Sequence, residues 1–348
     1  MSKVYEFVDR RLLRFHENGD PRKVVKLERE KMQFKLADGQ VLIRWLCAPI
    51  NPLDINIIQG VYAIKRELPA IPGGEAVGRV VRAGPSSNLN TGDLVAPLMM
   101  PRPDCWADYS VVEADGLVKV DSRIEPKTAA TLIVNPCTAW LMLKTYVDLE
   151  KGDWIIQNSA NSGVGQAVIQ LAWAWGLNTI CIIRDHPEHR KRAQELRSMG
   201  ATHIFSEEEF GKDGKKFLAN LEKPVKLALN GVGGRSSLRI AGALCRGGTL
   251  VTYGGMSKQA HEFSTAQLVF NDIRVRGIAV GMSLLELDQD LVQRMLKELQ
   301  ELAVTGQLNA PQMDAHAMSD YEVALANSMD GKHRKQMLVF EESLKSKI

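Results

Sequence analysis

Across residues 1–133 the apolar positions fall in short runs, "VLIRWLCAPI" (41–50), "EAVGRVVRAG" (75–84), "DLVAPLM" (93–99) and "WADYSVV" (106–112). Gly, Pro, Asn and Asp separate them, and long helical periods are scarce, so this part reads as a mostly β domain. From about residue 138 strands alternate with helices. "WIIQN" (154–158) precedes a helical period over 163–175, and "TICIIR" (179–184) precedes a charged helix from Pro187 to Met199. "HIFSEEEF" (203–210), "VKLALNG" (225–231) and "TLVTYGG" (249–255) continue the alternation. Strands at that spacing predict a parallel sheet wound with helices. After "VRGIAV" (275–280) a helix over roughly 286–304 and a last strand "QMLVF" (336–340) are expected to return to the first domain.

The fold class is therefore α/β, a Rossmann-type doubly wound parallel sheet joined to a mostly β domain. The expected boundaries are 1–133 with 283–348 for the β-rich domain and 134–282 for the dinucleotide-binding domain. Charge does little to alter this picture. Lys and Arg number 44 against 41 acidic residues, a formal +3, too balanced to suggest nucleic acid as a partner. Cys47, Cys105, Cys137, Cys181 and Cys245 contain no C-x-x-C pair and are odd in number, which predicts reduced thiols rather than a disulfide framework or zinc ribbon. No apolar run approaches a membrane span. "MSKVYEFVDRRLLRFHENGD" has the arginines of a mitochondrial presequence, but its acids and scarcity of serine leave location undecided.

The stretch "NSANSGVGQAVIQLAWAWG" (158–176) reads as the turn from a strand into a dinucleotide-binding helix. In the G-x-G-x-x-G register its positions fall on Ala160, Ser162 and Gly165. The first makes the tight turn, the second admits a phosphate, and the third lets helix and strand pack closely. Two of three glycines are absent, yet Ala and Ser are small, and the free N–H groups of a helix start still favour an anion. The competing reading is an N-cap with a packing glycine. Nineteen residues after Gly165, where an acid usually meets the ribose hydroxyls, stands Arg184, which suits a 2′-phosphate and favours NADPH over NADH. Asp185 beside it keeps that choice open. Glycine turns at 229–234 and 252–256 also follow strands, as expected of loops lining a cofactor crevice.

The order of these parts resembles the medium-chain dehydrogenase/reductase superfamily, whose first domain is GroES-like and catalytic. The metal ligands of its zinc-dependent alcohol dehydrogenases are not matched. "PGGEAVG" (72–78) places Gly74 at the usual histidine, and "NPLD" (51–54) supplies no thiolate, so no metal is expected. Reduction of an activated C=C bond suits a site without a Lewis acid, because the substrate's own carbonyl accepts the charge. Within the superfamily the chain resembles mitochondrial 2-enoyl thioester reductases, through "INPLDINIIQGVY" (50–62), "VNPCTAW" (134–140), "QNSANSGVGQAVIQLA" (157–172), "IIRD" (182–185) and "VTYGGMSKQ" (251–259).

The resemblance implies NADPH-dependent reduction of trans-2-enoyl thioesters, a mitochondrial address and a homodimer. It places the proton-donating tyrosine on Tyr62. Cofactor contacts fall on Asn135, Asn161, Ser162, Gly163, Val164, Arg184, Asp185, His186, Tyr253, Gly254, Gly255, Met256, Ile278, Ala279, Val280 and Lys335. Departures occur at "RGIAVGM", which lacks the usual aromatics, and at His186, where a second arginine is frequent. A phenol titrates near 10 and is protonated at neutral pH, which suits delivery of a proton to a developing enolate. The plain alternative for Tyr62 is a rim aromatic; Asn135 could serve turn backbone, and Lys335 could be a solvated lysine before a terminal strand. Cys137 reads as a packed residue, and of Trp173 and Trp175 at least one as packing. Lys65 and Arg66, just after Tyr62, are candidate contacts for an acyl carrier protein. A quinone or alkenal reductase is the competing enzyme, and a cofactor-stabilised interaction protein the competing class.

Overall fold

The structure, a computed structural model, describes residues 5–98, 104–331 and 334–341. The chain forms two compact units, one of residues 1–133, 284–286 and 310–348, the other of residues 134–283 and 287–309.

The first unit begins with strands β1 (Glu6–Phe15) and β2 (Val25–Phe34), joined through the short helix α1 (Pro21–Val24). Then come β3 (Gln40–Pro49), helix α2 (Pro52–Ile58), β4 (Val77–Ala83), β5 (Leu94–Pro97), β6 (Tyr109–Glu113), β7 (Leu117–Lys119) and α3 (Pro126–Ala129). The arginine-rich N-terminal stretch, of which residues 1–4 lie outside the described residues, is thus a strand. Two of its arginines face acids on β2, Arg10 meeting Glu30 at 2.6 Å and Arg14 meeting Glu28 at 2.6 Å, while Arg11 pairs with Asp108 at 2.9 Å. Leu12, Leu13 and Phe15 are fully buried. That pairing, absent from a single-strand reading, turns a charged segment into half of an antiparallel ribbon.

The second unit holds helix α4 (Asn135–Thr145), β8 (Trp154–Gln157), α5 (Gly163–Ala174), β9 (Asn178–Ile183), α6 (His189–Ser198), β10 (His203–Ser206) and α7 (Glu207–Ala219). It continues with β11 (Val225–Asn230), α8 (Gly234–Ala241), β12 (Leu244–Thr252), α9 (Thr265–Val269), β13 (Arg274–Gly277), α10 (Val280–Glu286) and α11 (Gln289–Val304). Its six strands run in the order β10-β9-β8-β11-β12-β13. All pairings are parallel. Counted within the sheet, that is 3-2-1-4-5-6, the doubly wound order whose direction reverses between β8 and β11. Strand β9 explains the run "TICII": Ile180 and Ile182 pack with Phe205 and Phe210, whereas Cys181 and Ile183 pack with Ala193 and Leu196. Both faces are covered, so alternation disappears.

β14 (Met313–Ala317), α12 (Tyr321–Asp330) and β15 (Lys335–Val339) close the chain in the first unit, where the sheet order is β14-β15-β3-β4-β5-β7. β3 is its hub, pairing antiparallel with β4, β6 and β15. The last strand therefore returns as expected, but the long helix before it does not. Residues 283–348 are not one block: α11 packs on α4 in the second unit. Its buried stripe, Val292, Met295, Leu296 and Leu299, has the i, i+3, i+4, i+7 spacing of a helix face seated on a neighbour. Glu298 fixes the seat, accepting the indole N–H of Trp140 at 2.7 Å and of Trp175 at 2.9 Å. Trp173, by contrast, is exposed. All five cysteines are free thiols, and Cys137 is buried as expected. Among the described residues, no helix is long and apolar enough to cross a membrane.

Candidate active site

At the carboxyl end of β8 the chain turns through Asn158 to Asn161 into α5. Ser159 takes the left-handed conformation, φ 53°, that the turn requires. Ser162 is the N-cap and accepts the Gly165 N–H at 3.1 Å. Gly163 and Val164 occupy the first turn, where backbone N–H groups have no partner within the helix. Gly165 is indispensable for packing, because a Cβ there would lie 2.6 Å from the carbonyl oxygens of both Ser159 and Ala160. Asn135, first residue of α4, lies over this turn: a Cβ on Gly163 would come within 2.8 Å of its Nδ2. That Nδ2 is buried and has no hydrogen-bond partner.

A second buried polar atom is orphaned nearby. The Tyr253 hydroxyl makes no hydrogen bond and sits over Gly231, where a Cβ would lie 2.6 Å from it. Burial pushes this phenol up to about 12; Ser162 is close enough to pull the value back slightly but is not in hydrogen-bonding geometry. Tyr253 therefore stays a donor. Its loop is laced to the preceding glycine turn: the N–H groups of Tyr253 and Met256 donate to Asn230 O at 3.0 Å and Gly231 O at 3.1 Å. Gly254 and Gly255 lie between them. Ile278 follows β13 with its N–H on Thr252 O at 2.9 Å, and Ala279 caps α10, which Val280 begins.

Sequence reading missed two asparagines that hold these loops together. Asn158 directly follows β8 and Asn230 ends β11, the strands flanking the reversal, and both are fully buried. Asn158 Nδ2 donates to Asn230 Oδ1 at 2.8 Å and to Ser236 Oγ at 3.0 Å, while its Oδ1 accepts the Gly231 N–H at 2.8 Å. Asn230 Oδ1 also accepts the N–H groups of Val232 and Gly233. Two of that turn's glycines, Gly231 and Gly233, are thus tied to a side-chain amide. The available signal was an Asn directly after each apolar run, "IIQN" and "LALN".

Arg184 and Asp185 are exposed just beyond β9, the second strand of the winding. Asp185 accepts the Glu208 N–H at 3.4 Å, and His186 Nδ1 accepts the Glu188 N–H at 3.1 Å, so both help shape the starts of neighbouring helices. Arg184 is the cationic member of this trio.

Tyr62 and Lys335 belong to the first unit. Tyr62 lies half-buried in the loop after α2, its N–H donating to Asn56 O at 3.2 Å. Lys65 is exposed and donates to Gly60 O; Arg66 is half-buried and ion-paired to Asp104 at 3.0 Å. Of the two steering cations expected, Arg66 therefore has its charge largely met within the chain. Lys335 is not a solvated lysine: it is half-buried with Nζ 2.6 Å from Asn51 Oδ1. At the position of the absent histidine, the Gly74 N–H donates to Asp54 at 2.9 Å. Burial raises this carboxyl to about 6, against the pull of the Asn51 and Gly74 N–H groups.

Residues 37–122 match the family model described as alcohol dehydrogenase GroES-like domain, and residues 163–301 that described as zinc-binding dehydrogenase. The mitochondrial enoyl-[acyl-carrier-protein] reductase of Caenorhabditis elegans is 49% identical over 93% of this chain and 94% of its own length. The Homo sapiens protein of that name is 42% identical over 92% and 85%. Among solved structures, the mitochondrial 2-enoyl thioester reductase Etr1p/Etr2p heterodimer of Candida tropicalis superposes with a TM-score of 0.88 at 30% identity, covering 96% of this chain and all of that one. An Etr1p complex with NADP and crotonyl-CoA gives a TM-score of 0.88 at 29% identity, with the same coverage. With relatives this similar along nearly its whole length, the chain belongs to the mitochondrial enoyl-[acyl-carrier-protein] reductase family.

Proposed function

We propose that this protein is the NADPH-dependent reductase of trans-2-enoyl thioesters, carried on acyl carrier protein or CoA, in mitochondrial fatty acid synthesis. One observation carries the cofactor reading: two buried polar atoms, Asn135 Nδ2 and Tyr253 Oη, each sit over a glycine and lack a partner, at loops on the carboxyl side of the parallel sheet. An unpaired buried donor costs about 1–3 kcal/mol, and a polar ligand relieves that cost. Asn161, Ser162, Gly163 and Val164 supply the helix start for a pyrophosphate. Tyr253, Gly254, Gly255 and Met256, with Ile278, Ala279 and Val280, line the later strand ends. Arg184 carries the charge for a 2′-phosphate, with Asp185 and His186 shaping its surroundings.

Bound NADPH supplies a hydride to Cβ of the enoyl thioester. Tyr62 holds the proton that Cα takes up. The donor set does not favour a metal, since no group of three or more His, Cys, Asp or Glu among the described residues could hold one. Lys65 is the better candidate contact for the acidic carrier, Arg66 being paired. A homodimer is favoured by the exposed Leu268, Val269 and Phe270 next to the edge strand β13. The test is NADPH consumption with trans-2-enoyl-CoA substrates of several chain lengths, a quinone control, and Tyr62→Phe. Chain-dependent turnover that falls about 100-fold or more in the variant supports the reading. Quinone turnover indifferent to Tyr62 refutes it.

A further inference from the structure

A chain of hydrogen bonds with a single direction runs through the second unit, from α7 to the loop after β12. It starts at Glu207, whose carboxylate accepts the Ser236 hydroxyl at 2.5 Å and Arg239 at 2.6 Å. A carboxylate only accepts, so Ser236 gives its proton there and must itself accept from Asn158 Nδ2 at 3.0 Å. The same Nδ2 donates its other hydrogen to Asn230 Oδ1 at 2.8 Å. Asn230 Oδ1 also accepts the N–H groups of Val232 and Gly233, at 3.2 and 3.1 Å, so the orientation of this amide is fixed twice over. Its Nδ2 is therefore a donor, to Thr252 Oγ1 at 3.1 Å and to Nδ1 of His261 at 2.8 Å.

The consequence falls on His261. With Asn230 donating, His261 Nδ1 has to accept, which requires a neutral ring with its proton on Nε2. A protonated ring carries N–H on both nitrogens and sets donor against donor. His261 lies in residues 253–264, between β12 and α9, its ring alongside Phe263 with 7° between the planes. This segment begins with Tyr253, Gly254, Gly255 and Met256. Hydrogen bonds lace it to the turn after β11: Ser257 donates its N–H and its hydroxyl to Val232 O at 2.9 and 2.7 Å, and Glu262 its N–H to Ser237 Oγ at 3.2 Å. Among the described residues, His261 is the one side chain of the segment that hydrogen-bonds the paired asparagines.

Asn230 is fully buried, whereas His261 is exposed, so bulk solvent reaches the ring. The charged and titratable groups on the surrounding elements are Lys258 and Glu262 of its own loop, Tyr253 at the start of that loop, Arg235 and Arg239 of α8, and Glu207 of α7. Glu207 and Arg239 meet each other's charge at 2.6 Å, and the Tyr253 phenol, pushed up to about 12 by burial, stays neutral. Among the described residues the imidazole hydrogen-bonds to Asn230 alone.

We propose that neutral His261 is a positioning residue: by accepting from Asn230 it holds the loop of Tyr253, Gly254, Gly255 and Met256 in the form that receives the dinucleotide, and protonation of the ring releases that loop. This rests on the NADPH reading above. Imidazole is the side chain that changes charge between pH 5 and 8, so the release is measurable near neutrality.

The experiment is NADPH binding, followed by nucleotide fluorescence between pH 6 and 8.5, for wild type, His261→Asn and His261→Ala. Asparagine places an oxygen acceptor where histidine has Nδ1, and it cannot gain a proton. At pH 8.5 wild type and His261→Asn are expected to agree within about 2-fold, with His261→Ala about 3- to 10-fold weaker, as befits one hydrogen bond. As the pH falls to 6, wild type should weaken about 3-fold or more relative to His261→Asn, while the two variants keep a constant ratio. The 2′-phosphate titrates in the same range, but alike in all three proteins, so it drops out of the ratios. A residue that merely filled space would give parallel curves for wild type and His261→Asn, and that result overturns the proposal. Wild-type affinity in His261→Ala at pH 8.5 overturns it too, as does a His261→Asn variant that binds no better than His261→Ala. Absence of NADPH binding by wild type at every pH overturns the cofactor reading and the role of His261 with it. If His261→Ala does not fold, the ratio of wild type to His261→Asn decides alone.

Discussion

Gly165→Ala adds one methyl group at the point where α5 crosses its own entry turn. The added Cβ would lie 2.6 Å from two carbonyl oxygens and 2.7 Å from the Ala160 carbonyl carbon, all backbone atoms that cannot swing aside. Relief requires α5 to move out by about half an ångström or more, and overpacking of this kind costs about 1–3 kcal/mol. The helix gains about 1 kcal/mol of intrinsic propensity from the same change. The net expectation is a loss of stability of up to about 2 kcal/mol, with displacement of the Gly163 and Val164 N–H groups from their position under Asn135. If that displacement costs about 1.4 kcal/mol of cofactor binding, NADPH affinity drops tenfold. Gly211→Ala is the matched control, a glycine inside α7 whose Cβ would meet nothing within 4 Å. It should gain about 0.5–1 kcal/mol and leave binding unchanged. Urea denaturation and NADPH titration of both variants provide the readout. Equal stability and equal affinity in Gly165→Ala and Gly211→Ala would refute the claim that close packing at this turn shapes the site.

Asn135→Ala removes a buried donor that has no partner, so the apoprotein should melt no lower than wild type while NADPH affinity falls about 5- to 50-fold; a matching loss of both would mark the residue as structural only. Glu298→Ala leaves the indole N–H groups of Trp140 and Trp175 without their acceptor, and a loss of about 2–3 kcal/mol is expected in urea denaturation followed by tryptophan emission. Asp153 accepts from Lys226 at 2.7 Å and Lys223 at 3.2 Å, and these bonds hold its carboxyl at about 2 despite the opposing effect of burial. A depressed folded-state value stabilises above the unfolded value near 3.9, and the contribution, about 2 kcal/mol, disappears as pH falls from about 4 towards 2. Asp153→Asn should therefore flatten the acid limb of the stability curve in that window; an unchanged acid limb would show that the pair carries no such energy.

Periodicity was enough to read five of the six strands of the second unit and most of their helices, because those strands carry short, buried apolar runs; β13, with the sequence RVRG, is a largely exposed edge strand and gives no such signal. Periodicity failed where the decisive partner lies far away. The charged β1 strand makes sense only opposite Glu28 and Glu30, and the seat of α11 depends on the indoles of Trp140 and Trp175. Its amphipathic stripe announces a buried face without naming what covers it. Among the candidate site residues, Ser162, Gly163 and Val164 follow from the strand-turn-helix pattern. Asn135, Tyr253 and Lys335 came from resemblance, since an asparagine before proline or a lysine before a strand carries no chemical signal of its own. Asn158 and Asn230 escaped because an amide ending a strand usually reads as turn punctuation, and its role emerges only when two such strands become neighbours at the reversal.

The incomplete glycine fingerprint has a physical resolution in the turn itself. The three tasks ascribed to glycine are separable, and here they fall on different residues. The left-handed backbone is taken by Ser159, one position before the expected glycine, so Ala160 can keep a conformation open to a side chain and bury its methyl group. Ser162 exchanges the freedom of a glycine for a hydroxyl that caps α5. Close approach of helix to turn cannot be delegated, because it depends on the absence of a Cβ rather than on a backbone angle, and Gly165 alone stays glycine. A motif search that counts glycines would discard this turn. One that asks which position lacks room for a methyl group would keep it, since the placement of the N–H groups at the start of α5 depends on the helix lying close against the turn and not on the identity of the first two residues.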